Sequence, residues 1–193
     1  AQKSKIHLAI ACWEWPAYFS PEARLKGIRL DWAMYRRPDP ATAPSKSKAA
    51  GLYMICTLSK HAAENKGYND ALMLDWRGRI AETTGANVFL VQGGKIHTPV
   101  PDCFLDGITR RSVIALAKAR GYDVIERPLM PEELAKTQEV FITGTAAEVT
   151  PIAEIGEYKF TPGAITRTLM DDYDRLVRTA PAAPAAAEQP SAY

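Results

Sequence analysis

The stretch SKAAGLYMICTLSKHAAENKGYNDALMLDWRGRIAETTGAN, residues 47–87, decides how the chain is read. It places a lysine at the mouth of a helix (Lys48), a tyrosine five residues on (Tyr53), and a carboxylate ahead of a glycine turn (Glu82, then Thr83-Thr84-Gly85-Ala86-Asn87). Leu52, Ile55, Cys56, Ala62 and Ala63 predict the apolar face of a helix over 47–66, closed by Gly67 at its C′ position. Five residues on a helix turn through about 500°, so the Lys48 and Tyr53 side chains would diverge by roughly 140°. For both to serve one ligand, the backbone near Ala49-Ala50-Gly51 must leave helical geometry, which glycine permits.

From residue 71 to residue 98 strands are expected to dominate. The run 71–75 and its return at 79–82 flank the turn Trp76-Arg77-Gly78, and 88–91 and 95–98 form a second hairpin around Gly93-Gly94. A helix opens at Gly107 and stops at Gly121; a strand over 122–128, a short helix over 131–136 and a strand over 139–143 come next. The last helix spans 165–178, with Leu169 and Leu176 inward. Upstream, the apolar run 6–11 predicts a strand, Pro16 discourages helix, and Ser20-Pro21-Glu22 begins a short helix. A strand over 27–34 puts Ile28, Leu30 and Trp32 on one face, and a proline-rich connector (38–44) delivers the central stretch to a fixed place. The Pro/Ala-rich segment 181–192 predicts a disordered tail.

At 193 residues and 47% apolar, the chain is long enough for one good core, or for one domain plus part of another. A formal charge of +2 with no basic stripe argues against nucleic acid or an anionic membrane as a partner. No apolar run approaches the ~20 residues that span a bilayer, and the start shows no signal-peptide pattern, which points to the cytoplasm. The absence of an initiator Met points to processing or a fragment. Cys12, Cys56 and Cys103 are too scattered for a disulfide framework or zinc and are expected to be buried spectators; His7, His61 and His97 are equally scattered, so no metal is expected.

Two glycine turns resemble anion sites at helix N-termini, Gly107-Ile108-Thr109 and Gly144-Thr145-Ala146, although plain capping explains either one. There is no Walker pattern and no GxGxxG, which argues against a nucleotide phosphate. A lysine becomes a covalent catalyst when burial and its neighbours free its amine to attack a carbonyl. A buried Glu82 would need a cationic partner to stay charged, and a pyridinium nitrogen is one. Pyridoxal phosphate asks for that carboxylate together with a lysine and a phosphate cup.

The set Lys48-Ala-Ala-Gly-Leu-Tyr53, Gly67-Tyr68, Leu74-Asp75, Glu82-Thr-Thr-Gly-Ala-Asn87, Thr98-Pro99, Gly107-Ile-Thr-Arg110, Glu126-Arg127 and Gly144-Thr-Ala-Ala-Glu-Val-Thr-Pro151 resembles the fold-type IV pyridoxal-phosphate aminotransferases. Within them it looks most like the branched-chain amino-acid aminotransferases, from about Ile6 to Arg178. The resemblance implies an α/β fold with a barrel-like large domain, pyridoxal 5'-phosphate as cofactor, and transfer of the amino group from branched-chain L-amino acids to 2-oxoglutarate. It makes Lys48 the lysine that links to the cofactor aldehyde and later shuttles a proton; Lys46 is close, but the five-residue step to Tyr53 selects Lys48. Tyr53 would bond the cofactor's phenolic oxygen and Glu82 its ring nitrogen. Leu105 would lie beside the ring, with Gly107, Ile108, Thr109 and Thr145 cupping the phosphate. Thr145 and Ala146 would offer N–H groups to the substrate carboxylate, and Arg37, which matches an arginine of the family's interdomain segment, would take part in binding the substrate.

The same resemblance divides the chain into the end of a small domain (1–16), a connector with the first strand (17–44), the cofactor domain (45–178) and a tail (179–193). It implies that a leading small domain, with its phosphate-binding arginine and part of the substrate pocket, is missing here. Expected partners are amino acid and 2-oxo acid substrates, a second copy in a homodimer or higher assembly, and the chain's own N-terminal piece. D-amino-acid aminotransferase and aminodeoxychorismate lyase share the fold type and are the nearest alternatives. A non-catalytic fragment is the alternative of another class.

Overall fold

A computed structural model describes residues 3–14 and 18–179. Nine strands form one sheet: β1 (Ile28–Trp32), β2 (Asp70–Leu74), β3 (Ile80–Thr83), β4 (Asn87–Gln92), β5 (Lys95–Thr98), β6 (Val124–Glu126), β7 (Glu139–Gly144), β8 (Glu148–Ile155) and β9 (Tyr158–Lys159). Among the described residues four α-helices accompany it: α1 (Pro21–Lys26), α2 (Met54–Glu64), α3 (Ile108–Ala119) and α4 (Ala164–Arg178). The order β3-β2-β1-β8-β7-β4 closes on itself because β3 also pairs with β4, so six strands make a barrel. Strands β5 and β6 continue the sheet outward from β4. The fold is thus the α/β barrel-like one expected.

Closure explains why the central strands read as unbroken apolar runs. On β4, Val88 and Leu90 face the interior cluster with Ile28, Leu30, Leu72, Val140 and Ile152. Phe89 and Val91, on the other face, pack with Phe141 against Val113 of α3 and Leu169 of α4. Both faces are covered, so alternation disappears from the sequence. Phe89 and Phe141 stack at 4.9 Å between centroids. Gly93 and Gly94 both have positive φ (57° and 75°), as a two-residue hairpin between β4 and β5 requires.

Several expectations change. The run 6–11 is not a strand: Ile6, Leu8 and Ile10 are 85–100% exposed, and none of the sheet's strands lies beside them to pair. The helix expected from residue 47 begins late, with a short 3₁₀ turn (Ala50–Leu52) before α2, because Ala49 is extended (φ −85°, ψ 135°). Its end is as expected: Gly67 N–H bonds Glu64 O and Tyr68 N–H bonds Ala63 O, the Schellman pair that a C′ glycine allows. The strand expected over 122–128 shortens to β6, and the short helix is a 3₁₀ turn (Pro131–Lys136). No helix follows Gly144; residues 145–147 turn directly into β8, an eight-residue strand not foreseen. Cys12 is exposed where burial was expected, while Cys56 and Cys103 are buried. Leu176 is 52% exposed, since α4 carries it past the cluster that covers Leu169. Pro16 and the segment 181–192 lie outside the described residues. Among those described, no helix is long and apolar enough to cross a membrane.

Candidate active site

The barrel seam is a single residue pair, Glu82 on β3 opposite Asn87 on β4. The intervening turn is tied by Thr83 N–H to Ala86 O (2.8 Å) and by Ala86 N–H to the Thr83 hydroxyl (3.2 Å). Asn87 is in turn opposite Thr143 on β7. Directly paired residues share a sheet face, so Glu82, Asn87 and Thr143 form a row across three strands. All three line one cavity of about 660 Å³.

The same cavity is lined by Arg37, Lys46, Lys48, Tyr53, Leu105, Gly107, Ile108, Thr109 and Thr145. Every residue singled out from the sequence therefore meets there except Ala146, which lines the neighbouring cleft that also touches Thr145. The condition on Lys48 and Tyr53 is met by the extended Ala49: Lys48 precedes the 3₁₀ turn and Tyr53 follows it. Lys48 itself is exposed at the cavity lip, whereas the sequence reading asked for burial.

Glu82 is 4% exposed, and its Oε1 is 2.6 Å from Arg37 Nη2. Arg37 is delivered there by a bridge to Asp75 beside β2, with its N–H on Leu74 O at 2.8 Å. Even so, burial dominates and pushes the Glu82 carboxyl up to about 7, with Arg37 pulling the other way. One neighbouring cation is thus not enough to hold this carboxylate fully charged at neutral pH. Asp70 is a second buried carboxyl, raised by desolvation although the Thr84 hydroxyl (2.5 Å) and Ala71 N–H (2.8 Å) donate to it. Burial, then the negative charge of Glu82, raises the Tyr53 phenol, which stays a donor.

Across the cavity, α3 presents its N-terminus. Its N-cap is Gly107, with no capping side chain, so the first-turn N–H groups face the cavity mouth without a partner inside the helix. Asn87 Nδ2 donates to Leu105 O (3.0 Å) and to Glu82 Oε2 (3.3 Å), joining the seam to the loop before α3. Arg110, 1% exposed, braces that loop from behind through Asp106, the Pro99 carbonyl and Glu126. Asn87 and Thr143 were given no role from the sequence. Asn87 stood within a recognised motif, but Thr143 reads only as an interior strand position.

Beside the barrel seam one cavity gathers a lysine, a phenol, a buried carboxylate and a helix N-terminus, and the comparisons say to which class of protein the chain belongs. The family model for amino-transferase class IV matches residues 1–155, and the chain belongs to that family. It is 36% identical over 176 residues to the branched-chain-amino-acid aminotransferase of Pseudomonas aeruginosa, covering 90% of this chain and 57% of that one. It is 43% identical over 158 residues to a probable branched-chain-amino-acid aminotransferase of Aquifex aeolicus, covering 79% and 51% respectively. The X-ray crystal structure of an aminotransferase from Brucella abortus bound to the co-factor PLP superposes with a TM-score of 0.78 at 35% identity, over 86% of this chain and 58% of that one. The chain spans little more than half the length of these relatives.

Proposed function

We propose that the whole protein is a pyridoxal-phosphate aminotransferase acting on branched-chain L-amino acids, with 2-oxoglutarate as amino acceptor. The observation that carries this reading is the convergence of Lys48, Tyr53, Glu82 and the α3 N-terminus on one cavity. Two features fit the cofactor. Burial pushes the Glu82 carboxyl up to about 7 in spite of the Arg37 guanidinium beside it, so there is room for a second cation, of the kind a protonated ring nitrogen provides, to keep it charged. The Thr143 hydroxyl is buried on the cavity wall with no partner among the described residues. When bound, pyridoxal phosphate supplies an aldehyde that takes up the amino group and a ring that accepts electrons.

The chain's own residues have separate tasks in this reading. Lys48 would carry a proton between the substrate Cα and the cofactor's aldehyde carbon, in one direction in the first half of the cycle and in the other in the second. Tyr53 donates its phenol proton toward the ring oxygen. Glu82 holds the ring-nitrogen proton, and Arg37 sits beside it to keep the carboxylate in place. Gly107, Ile108, Thr109 and Thr145 would hold the phosphate, Leu105 would line the ring's side of the cavity, and Thr145 with Ala146 would receive the substrate carboxylate. Exposed Lys48 and the exposed apolar run at Ile6, Leu8 and Ile10 favour an active unit that includes more than these residues, either a preceding domain or a second copy.

The test is an absorbance spectrum with added pyridoxal phosphate, then borohydride reduction and peptide mapping. A pyridoxyl group fixed on Lys48, and lost in Lys48→Ala, is expected. Labelling that survives this substitution would refute the assignment. L-leucine bleaching the cofactor band where D-alanine does not would support the substrate class.

A further inference from the structure

We propose that Tyr173, in the last helix, is a positioning residue for the anion cup: its phenol donates to the Thr109 hydroxyl and so turns the Thr109 proton toward the cavity. The inference rests on the reading of the Thr109 turn as the phosphate site. Thr109 is the second residue of α3, 4% exposed, and lines the cavity. Its Oγ1 lies 3.3 Å from Tyr173 Oη, and either atom can donate. A threonine hydroxyl has one proton and two lone pairs. If Thr109 donates to Tyr173, only lone pairs face the cavity, and an anion there is repelled. If Tyr173 donates, the Thr109 proton is left for the anion, and the two hydrogen bonds run in one direction and strengthen each other. An anion in the cavity therefore selects the second arrangement.

Tyr173 is well held for this task. It is 9% exposed and packs with Phe89, Phe141, Val149 and Leu169, so its ring has little freedom. Helix α4 is itself pinned to the sheet: Thr166 N–H donates to Glu139 Oε2 at 2.8 Å, Glu139 standing at the start of β7. A residue 64 positions downstream thus reaches the cup through one oxygen.

The experiment compares wild type, Tyr173→Phe, Thr109→Val and the double variant for binding of pyridoxal phosphate, of pyridoxal and of inorganic phosphate as competitor. Tyr173→Phe keeps the ring in place and removes the donor. It is expected to weaken pyridoxal phosphate and inorganic phosphate roughly five- to twentyfold, the loss of one hydrogen bond to a charged network, and to leave pyridoxal unchanged. The double variant is expected to lose no more than Thr109→Val alone. Equal weakening of pyridoxal would mean a merely structural role and overturn the inference, as would additive losses or an unchanged phosphate affinity. If Tyr173→Phe folds poorly, 3-fluorotyrosine at 173, a stronger donor of the same shape, is expected to tighten phosphate binding; no tightening would count against the proposal. Failure of this inference alone leaves wild-type labelling at Lys48 intact, whereas binding of neither pyridoxal compound sinks the functional reading and this one together.

Discussion

Replacing Gly107 by alanine tests the link between the barrel seam and the cup. The backbone there (φ −64°, ψ 145°) suits alanine, so no dihedral strain enters. The added Cβ, however, would stand 2.5 Å from Asn87 Oδ1. An amide end can usually swing aside, but this one is buried and its Nδ2 is committed to Leu105 O and Glu82 Oε2. Moving it breaks two hydrogen bonds, one to a carboxylate, and leaves buried polar atoms without partners, which amounts to about 2–4 kcal/mol of stability. Urea unfolding of Gly107→Ala, Asn87→Ala and the double variant reads the effect. Asn87→Ala opens space for the new methyl, so the double variant should be more stable than the sum of the single losses predicts, by at least about 1 kcal/mol. Additive losses, or a loss below about 0.5 kcal/mol for Gly107→Ala, would refute the contact as the cause.

Glu82 gives a pH signature. Its carboxyl titrates at about 7 in the fold against 4.5 as a free side chain, so between those values the folded state binds the extra proton. Stability should therefore fall as pH rises from about 5 to 7, by about 3 kcal/mol, then level off; unfolding across pH should show this, and Glu82→Gln should flatten the slope. Glu139→Ala removes the carboxylate that accepts Thr166 N–H and is expected to destabilise α4 by about 1–2 kcal/mol, measured by denaturant midpoint. Leu169→Ala should lose about 2–5 kcal/mol and Leu176→Ala less than about 0.5, because only the first is enclosed; equal losses would contradict the placement of α4's last turns.

Elements that carry their own signal were legible in the sequence. The hairpins at Trp76-Arg77-Gly78 and Gly93-Gly94, and α3 between Gly107 and Gly121, combine apolar runs with turn residues that leave little choice. Strand β8 was hidden by Pro151, which argues against an interior strand. It is tolerated because β1 begins to pair with β8 only at Ile152, so at Pro151 one side of the strand has no ladder to complete. The run 6–11 shows the opposite failure. Its composition suits a strand, but composition supplies no neighbour, and these residues offer it none.

The site divides along the same line. Lys48, Tyr53, Glu82 and Thr109 stand in local motifs that carry the family resemblance, and their roles follow from it. Asn87 and Thr143 matter because β4 pairs with both β3 and β7 at one level, which places them in a row with Glu82. Tyr173 matters because α4 packs over Phe89 and Phe141 and brings a phenol to the start of α3. Such roles depend on register and on the angle at which a helix meets a sheet, and neither is carried by any one segment. A search confined to motifs therefore finds the residues proposed to touch a cofactor more readily than those proposed to aim them. In this barrel Thr143 and Tyr173 stand outside the quoted motifs, on a strand and a helix far from the lysine in sequence, and a substitution at either is expected to alter phosphate affinity or the Glu82 titration.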